Sequence, residues 1–160
     1  MIIIDTLTGN SVELDIEALE ESNLNDLELH RALLSGANLQ GASMKRTNFR
    51  GAFLERTNLS YSDLTESKLM TAQLQNANLV SANLTDAMLN AANLSNANLC
   101  NVNLTRADVW EANFQNSLLK GANLFSCQRI MDADFRNAIF DNSTKWPAGF
   151  NPIERGAIKI

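Results

Sequence analysis

The sequence has few of the residues on which metal sites, disulfides and nucleophilic catalysis depend. It contains one histidine, His30, and two cysteines, Cys100 and Cys127, which form no CxxC pair. These residues do not assemble into a zinc site or a cysteine–histidine nucleophile, so we expect no bound metal and two reduced thiols. No run of about 18 apolar residues is present, and the sequence therefore predicts no membrane-spanning helix.

Targeting and catalytic signatures are also absent. Residues 1–4 read Met-Ile-Ile-Ile and are followed at once by Asp5, without the basic start or the long apolar stretch of a signal peptide, so we expect a cytoplasmic protein. The glycines of the repeat described below stand where tight bends explain them and form no phosphate-binding loop. The acidic residues are scattered, and His30 has no obvious partner among them. We expect a protein with no cofactor and no enzymatic activity.

The chain carries a net charge of −5, and its excess of acidic residues is confined to the N-terminal end. Residues 1–30 contain eight acidic and no basic residues, whereas residues 31–142 contain nine acidic and ten basic residues, and residues 143–160 carry a net charge of +2. Between Ser67 and Leu104 only Lys68 and Asp86 are charged. Because the body of the chain is neutral, it neither attracts nor imitates a polyanion, and nucleic-acid binding is not expected.

A hydrophobic residue stands at every fifth position from Leu24 to Leu124. Of these 21 central positions 17 hold Leu, and the position two residues earlier holds Ala in 13 cases and Ser or Thr in six. A period of five fits neither an α-helix nor a continuous strand, but large and small residues two apart share one face of a short strand. Each pentad therefore predicts a short extended side and a bend, and the repeated bends predict a parallel solenoid with a Leu and Ala interior.

The residue before each central position is Asn or Asp in 13 of 21 cases. Such short polar side chains form hydrogen bonds with nearby backbone groups at bends, and stacked Asn residues form amide ladders. We interpret both roles as structural. Units such as Ala-Asn-Leu-Gln-Gly at 37–41 and Ala-Asn-Leu-Thr-Asp at 82–86 resemble the pentapeptide-repeat family, whose unit is A(D/N)LXX, and the resemblance covers about three quarters of the chain.

This resemblance implies an all-β fold, a right-handed quadrilateral parallel β-helix (solenoid) with four pentads, hence twenty residues, in each coil. Residues 22–142 would then form a solenoid of about six coils. Leu33 and Phe53 are twenty residues apart and should stack. Leu118 and Ile139 should also stack, provided that one extra residue enters the repeat after Leu124. That insertion moves the later central positions to Ile130, Phe135 and Phe140.

Both ends of a solenoid need caps, because a bare end exposes strand edges and the apolar interior. Residues 1–21 predict an N-terminal cap with a hairpin turn at Thr8-Gly9-Asn10. Residues 143–160 predict a C-terminal capping tail in which Trp146 and Phe150 cover the last coil. The tail resembles a closing segment of pentapeptide-repeat proteins from photosynthetic bacteria, and it favours a monomer over a tail-to-tail dimer.

A group of apolar side chains on one predicted side of the coil is the candidate binding surface. The residue after each central position should point outward, which exposes Met70 and Trp110, with Met88 beside Asn90 between them and Met131 one coil beyond. Exposed Trp and Met together predict a patch for a protein partner. The alternative interpretation is that these are isolated surface residues or are covered by the tail.

The function that we expect is therefore a rigid, non-enzymatic protein-interaction scaffold for an unknown protein partner. The alternative is DNA mimicry, because some pentapeptide-repeat proteins protect DNA gyrase by resembling duplex DNA in size, shape and negative charge. The net charge of +1 over residues 31–142 departs from that requirement. The tail departs as well, since the DNA-mimic members dimerise tail to tail.

Overall fold

The structure is a computed structural model that describes all 160 residues. From residue 21 to residue 128 the chain repeats one local conformation every five residues. Each central residue from Leu29 to Leu124 begins a tight turn in which the backbone N–H three residues later donates to its carbonyl, as Ala77 N does to Leu74 O at 3.1 Å. The second residue after the centre, here called the corner residue, has positive φ at every turn from Glu21 to Ser126. This left-handed corner redirects the chain and ends each short extended side.

Successive coils are joined by backbone hydrogen bonds between residues about twenty apart. Leu74 N donates to Asn93 O at 2.7 Å, Asn76 N donates to Ser95 O at 3.1 Å, and Asn93 N donates to Ala72 O at 2.9 Å. Parallel bridges pair residue with residue at the same spacing, from Asn23↔Ser43 to Asp108↔Gln128. Four pentads therefore make one coil, and the cross-section has four sides.

The interior is a stack of central residues with the small residues between them. All central residues from Leu24 to Leu124 are buried, and 43 buried apolar residues form one continuous core. We number the four sides by their central residues in the first coil. The central residues of the first, second, third and fourth sides are Leu24, Leu29, Leu34 and Leu39.

Asparagine side chains outside the core bind both the backbone and one another. Asn78 Oδ1 accepts from Val80 N at 3.3 Å, and Asn78 Nδ2 donates to Asn58 Oδ1 of the preceding coil at 3.2 Å. Asn103 repeats both contacts on the first side, with Thr105 N and with Asn83 Oδ1. Both structural roles predicted for these residues are confirmed.

Two insertions break the spacing of twenty near the C-terminus. A 3₁₀ helix at Ile130–Asp132 adds one residue, so that later rungs of the ladder are 21 apart, as in Leu118↔Ile139. The predicted shift after Leu124 and the stacking of Leu33 on Phe53 are thereby confirmed. A second residue is added before Asn123↔Lys145, which are 22 apart and form the last rung, within the segment predicted as the tail.

Four short strands lie outside the regular repeat. Strands β1 (Ile2–Ile4) and β2 (Val12–Leu14) pair antiparallel, which confirms the hairpin predicted around Gly9. The segment after β1 then runs along the first coil, because Leu33 N donates to Asp5 O at 2.8 Å. Strands β3 (Ile139–Phe140) and β4 (Ile158–Lys159) pair in parallel, so the end of the chain continues the fourth side.

Candidate functional site

The apolar patch predicted from the sequence lies on the second side. Thr71 N donates to Asn90 O at 2.9 Å and Ala91 N donates to Trp110 O at 2.7 Å, which places Met70, Asn90 and Trp110 in one outward column. Met88 precedes Leu89 on the same side and is 40% exposed, Trp110 is 39% exposed and Met131 is 53% exposed. Met70 is only half-buried and contributes less surface.

Two arginines fix the orientation of this patch. The guanidinium of Arg129 lies 5.4 Å from the centroid of the Trp110 ring and forms an ion pair with Asp108. Arg155 Nη2 approaches the Met131 sulfur at 3.7 Å. A cation over an aromatic face is attractive, so Trp110 is held in one orientation while more than a third of its surface stays exposed. The tail therefore contacts the patch through Arg155 without covering it.

Large apolar side chains are also exposed away from the second side. Tyr61 occupies a corner and is 65% exposed, and Phe125 follows Leu124 on the first side and is 59% exposed. Both were missed at the sequence level, although Phe125 holds the same position in its pentad as Trp110. Neither has a neighbouring exposed Met or aromatic residue at the equivalent position of the preceding coil, where Gly41 and Thr105 stand.

Trp146 and Phe150 pack onto the interior at the C-terminal end. Their rings lie 5.3 and 5.5 Å from the ring of Phe135, which in turn stacks on Phe114 at 4.9 Å. Phe150 is 8% exposed and belongs to the core cluster, whereas Trp146 is half-buried against it. Trp146 Nε1 is buried without a hydrogen-bond partner.

One cavity is present, at the N-terminal end of the second side where it meets the third. Its volume is about 460 Å³. His30 and Arg50 line it from the outward column that continues to Met70, because Arg31 N donates to Arg50 O and Gly51 N donates to Met70 O, both at 2.9 Å. The complete lining is His30, Arg31, Arg50, Gly51, Phe53 and Thr71.

The arginines of this cavity differ from most others in the protein, because neither forms an ion pair. Half of the eight arginines are bonded to an aspartate; for example, Arg46 Nε donates to Asp26 Oδ1 at 2.7 Å and holds the pKa of that carboxyl below its usual value. Arg31 and Arg50 have no such carboxylate. The four paired residues are Arg46, Arg106, Arg129 and Arg136.

The positions of the side chains give little support for a reactive cysteine or for a metal site. Cys127 occupies a small inward position, its Sγ donates to Leu104 O at 3.0 Å, and burial raises the pKa of its thiol to about 12. Cys100 is half-buried, and both thiols are free. No group of three or more His, Cys, Asp or Glu side chains is close enough to hold a metal ion. The chain contains no helix with the length and hydrophobicity needed to cross a bilayer.

Solved structures with the same repeat are similar to this chain. The pentapeptide-repeat protein Rfr23 from the cyanobacterium Cyanothece 51142 is 31% identical, with 69% of this chain and 88% of that chain covered and a TM-score of 0.68. HetL from Nostoc sp. strain PCC 7120, a protein involved in the regulation of heterocyst differentiation, is 27% identical over 86% of this chain and 72% of its own, with a TM-score of 0.28. QnrB1, a plasmid-mediated fluoroquinolone resistance protein, is 15% identical over 87% of this chain and 92% of its own, with a TM-score of 0.43.

The comparison with curated proteins gave no match. The family model for pentapeptide repeats, in contrast, matches this sequence in eight copies across residues 18–51, 45–72, 67–106 and 101–143. These matches span the left-handed corners from Glu21 to Ser126 and the coils of twenty residues that they form. The chain therefore belongs to the pentapeptide-repeat family, whose members fold as right-handed quadrilateral β-helices.

Proposed function

We propose that this protein is a rigid, non-enzymatic scaffold that binds a partner protein through the patch of Met70, Met88, Trp110 and Met131. The observation that carries the proposal is the exposure of Met88, Trp110 and Met131 together on one side, whereas Tyr61 and Phe125 are exposed singly elsewhere. Exposed aromatic and Met side chains are enriched in the centres of protein interfaces. A partner would bury these side chains without disturbing the core.

The rigidity of the patch adds to this argument. A typical interior pentad donates three backbone hydrogen bonds to the coils beside it and accepts three from them, and Arg129 orients the Trp110 ring. A partner therefore meets side chains that are already ordered, so little conformational entropy is lost when the complex forms. Asn90 lies between Met70 and Trp110 and offers the polar contacts that such interfaces need.

Affinity capture from a native lysate tests this proposal. The patch variant Met88→Ser/Trp110→Ala removes two exposed side chains, and the control variant Tyr61→Ser/Phe125→Ser removes two exposed side chains from other surfaces. Far-ultraviolet circular dichroism and thermal unfolding establish that both variants fold. We expect the wild-type protein and the control variant to retain the same partner and the patch variant to lose it.

Two outcomes of this experiment would contradict the proposal. Equal recovery of the partner by all three proteins would show that another surface binds it. Recovery by none of them, at protein concentrations that detect micromolar complexes, would remove the support for a scaffold function. The contrast between patch and control variants matters because truncating any exposed apolar residue lowers non-specific adhesion.

We also propose that residues 22–142 form a solenoid of about six coils, capped by residues 1–21 and by residues 143–160. Burial of Ile4 and of Phe150 in the core supports a role for both terminal segments in covering the interior. Trp146→Ala should destabilise the protein by less than the about 3–5 kcal/mol lost when a fully buried aromatic residue is removed, because Trp146 is half-buried. Trp146→Phe should have a much smaller effect, because it keeps the ring and removes the unpartnered Nε1–H. Thermal unfolding distinguishes the two results, and equal losses would contradict a packing role.

A further inference from the structure

We propose that the cavity lined by His30, Arg31, Arg50, Gly51, Phe53 and Thr71 binds a small organic phosphate that carries a planar ring. This site is independent of the partner patch, although both open on the second side. Its volume of about 460 Å³ lies within the range of about 300–1,000 Å³ that is usual for small-molecule sites. The lining contains one apolar side chain, Phe53, and the cationic side chains of Arg31 and Arg50, which favour an anionic ligand.

The side-chain hydrogen-bond donors around the cavity have no partner within the protein. Neither Arg31 nor Arg50 forms an ion pair, and the side chains of His30 and Thr71 form no hydrogen bond within the protein. Arg31 and Arg50 come from adjacent coils, and each guanidinium group carries parallel pairs of N–H groups, the geometry that binds phosphate oxygens in pairs. A phosphate offers three acceptor oxygens and nearly two negative charges, which match two arginines and one hydroxyl better than a carboxylate does.

The shape of the site depends on Gly51. Arg31, Gly51 and Thr71 stack at successive corners, and a side chain on Gly51 would occupy the space between its neighbours. A Cβ at Gly51 would lie 3.5 Å from Arg31 Cγ and 3.6 Å from Thr71 Oγ1, which are ordinary contact distances. A Cβ therefore has room at this corner, although a φ of 63° strains most side chains, and the glycine leaves a recess with donors on both sides.

Phe53 supplies the wall on which a ring can stack. It precedes Leu54 on the third side, is half-buried, and is the apolar residue of the cavity. A base stacked on an aromatic side chain contributes about 1–3 kcal/mol in proteins that bind single-stranded nucleic acids, which is a gain of about fivefold or more in affinity. The ligand should therefore be bound at two ends, by the arginines at its phosphate and by Phe53 at its ring.

Titrations followed by nuclear magnetic resonance test the site with four probes: adenosine monophosphate, ribose phosphate, adenosine and benzoate. We expect saturable shifts at the amides of Gly51 and Thr71 with adenosine monophosphate, and about tenfold weaker binding of each fragment. Absence of saturable shifts would overturn the proposal. Benzoate binding as tightly as adenosine monophosphate would overturn the assignment to phosphate, and equal binding of ribose phosphate would overturn the role of Phe53.

Two variants and their matched controls locate the binding. Arg31→Gln/Arg50→Gln should weaken adenosine monophosphate at least about tenfold, since each charged hydrogen bond contributes about 1.5–3 kcal/mol. Gly51→Asn should block the recess and keep the fold, because Asn tolerates positive φ and stands at the corner at Asn76. The controls Arg56→Gln and Gly36→Asn should bind as the wild type does. Equal loss in variants and controls would identify unspecific attraction to a basic surface and overturn the site.

Discussion

Replacing Ser67 by alanine should stabilise the protein, although most substitutions of buried residues destabilise. Ser67 occupies a small inward position, is fully buried, and has a hydroxyl group without a hydrogen-bond partner. Ser62 occupies the equivalent position one pentad earlier, but its Oγ donates to Leu59 O at 2.7 Å. The pair therefore isolates the effect of one buried hydroxyl group in nearly identical surroundings.

The magnitude follows from the desolvation of that hydroxyl group. A buried polar group without a partner costs about 1–3 kcal/mol, whereas the gap left by one oxygen costs less than the ~1 kcal/mol of a methyl-sized cavity. Ser67→Ala should therefore raise the free energy of unfolding by about 1 kcal/mol. Ser62→Ala should lower it by about 0.5–1.5 kcal/mol, because it removes a hydrogen bond.

Equilibrium unfolding in urea, followed by circular dichroism, measures both changes. Equal slopes of free energy against denaturant for the wild type and the two variants would show that the denatured state is unchanged. A lower free energy of unfolding in both variants would refute the reasoning, because it would mean that the Ser67 hydroxyl is hydrogen-bonded in the folded protein.

Four further results are expected. Leu84→Ala, at a fully buried central position, should lower the free energy of unfolding by about 2–5 kcal/mol in the same denaturation assay. Burial raises the pKa of Cys127 from 9.0 to about 12, so the folded state favours the neutral thiol; its contribution to stability is complete below pH 9.0 and is lost as the pH rises towards about 12. Cys127→Ala should remove that part of the alkaline loss, and a thiol reagent should label Cys100 faster than Cys127 in the folded protein. Thr71→Gly should raise the thermal unfolding midpoint, because a β-branched residue with φ of 57° is strained, whereas Asn76→Gly should leave it nearly unchanged. The protein should not protect gyrase in a supercoiling assay, since residues 31–142 carry a net charge of +1, and protection at low protein concentration would favour DNA mimicry instead.

The core and the stacking could be predicted from the sequence because they depend on periodicity alone. The alternation of large and small residues identified the interior, and the pair Leu33 and Phe53 agreed with coils of twenty residues. The resemblance to a family was still needed for the number of sides, because a period of five does not determine it. The single insertion near Ile130 was also predicted, since the apolar pattern resumes one residue later.

The cavity could not be found by reading along the chain, because it depends on residues in different coils. Gly51 was interpreted only as a tight bend, and its φ of 63° agrees. The same bend is made by Thr71 and by 18 other residues that are not glycine, so the bend alone does not require Gly51. Writing the sequence in rows of twenty would have placed His30 directly above Arg50 and Arg31 directly above Gly51. Whether Arg31 and Arg50 form ion pairs could not be predicted from the sequence, because ion pairing depends on side-chain geometry.

Because each coil contains four pentads, the side on which a surface residue lies depends on the number of pentads that precede it. Inserting one pentad between Leu89 and Val109 would preserve every inward position and every corner, so the core would still form. All later residues would nevertheless turn by one side, and Trp110 would leave the side that carries Met88. Inserting four pentads would restore the sides and only lengthen the molecule, by about 4.8 Å. The fold can therefore tolerate changes in length that its surface cannot, and only whole coils keep the two ends of one side in line.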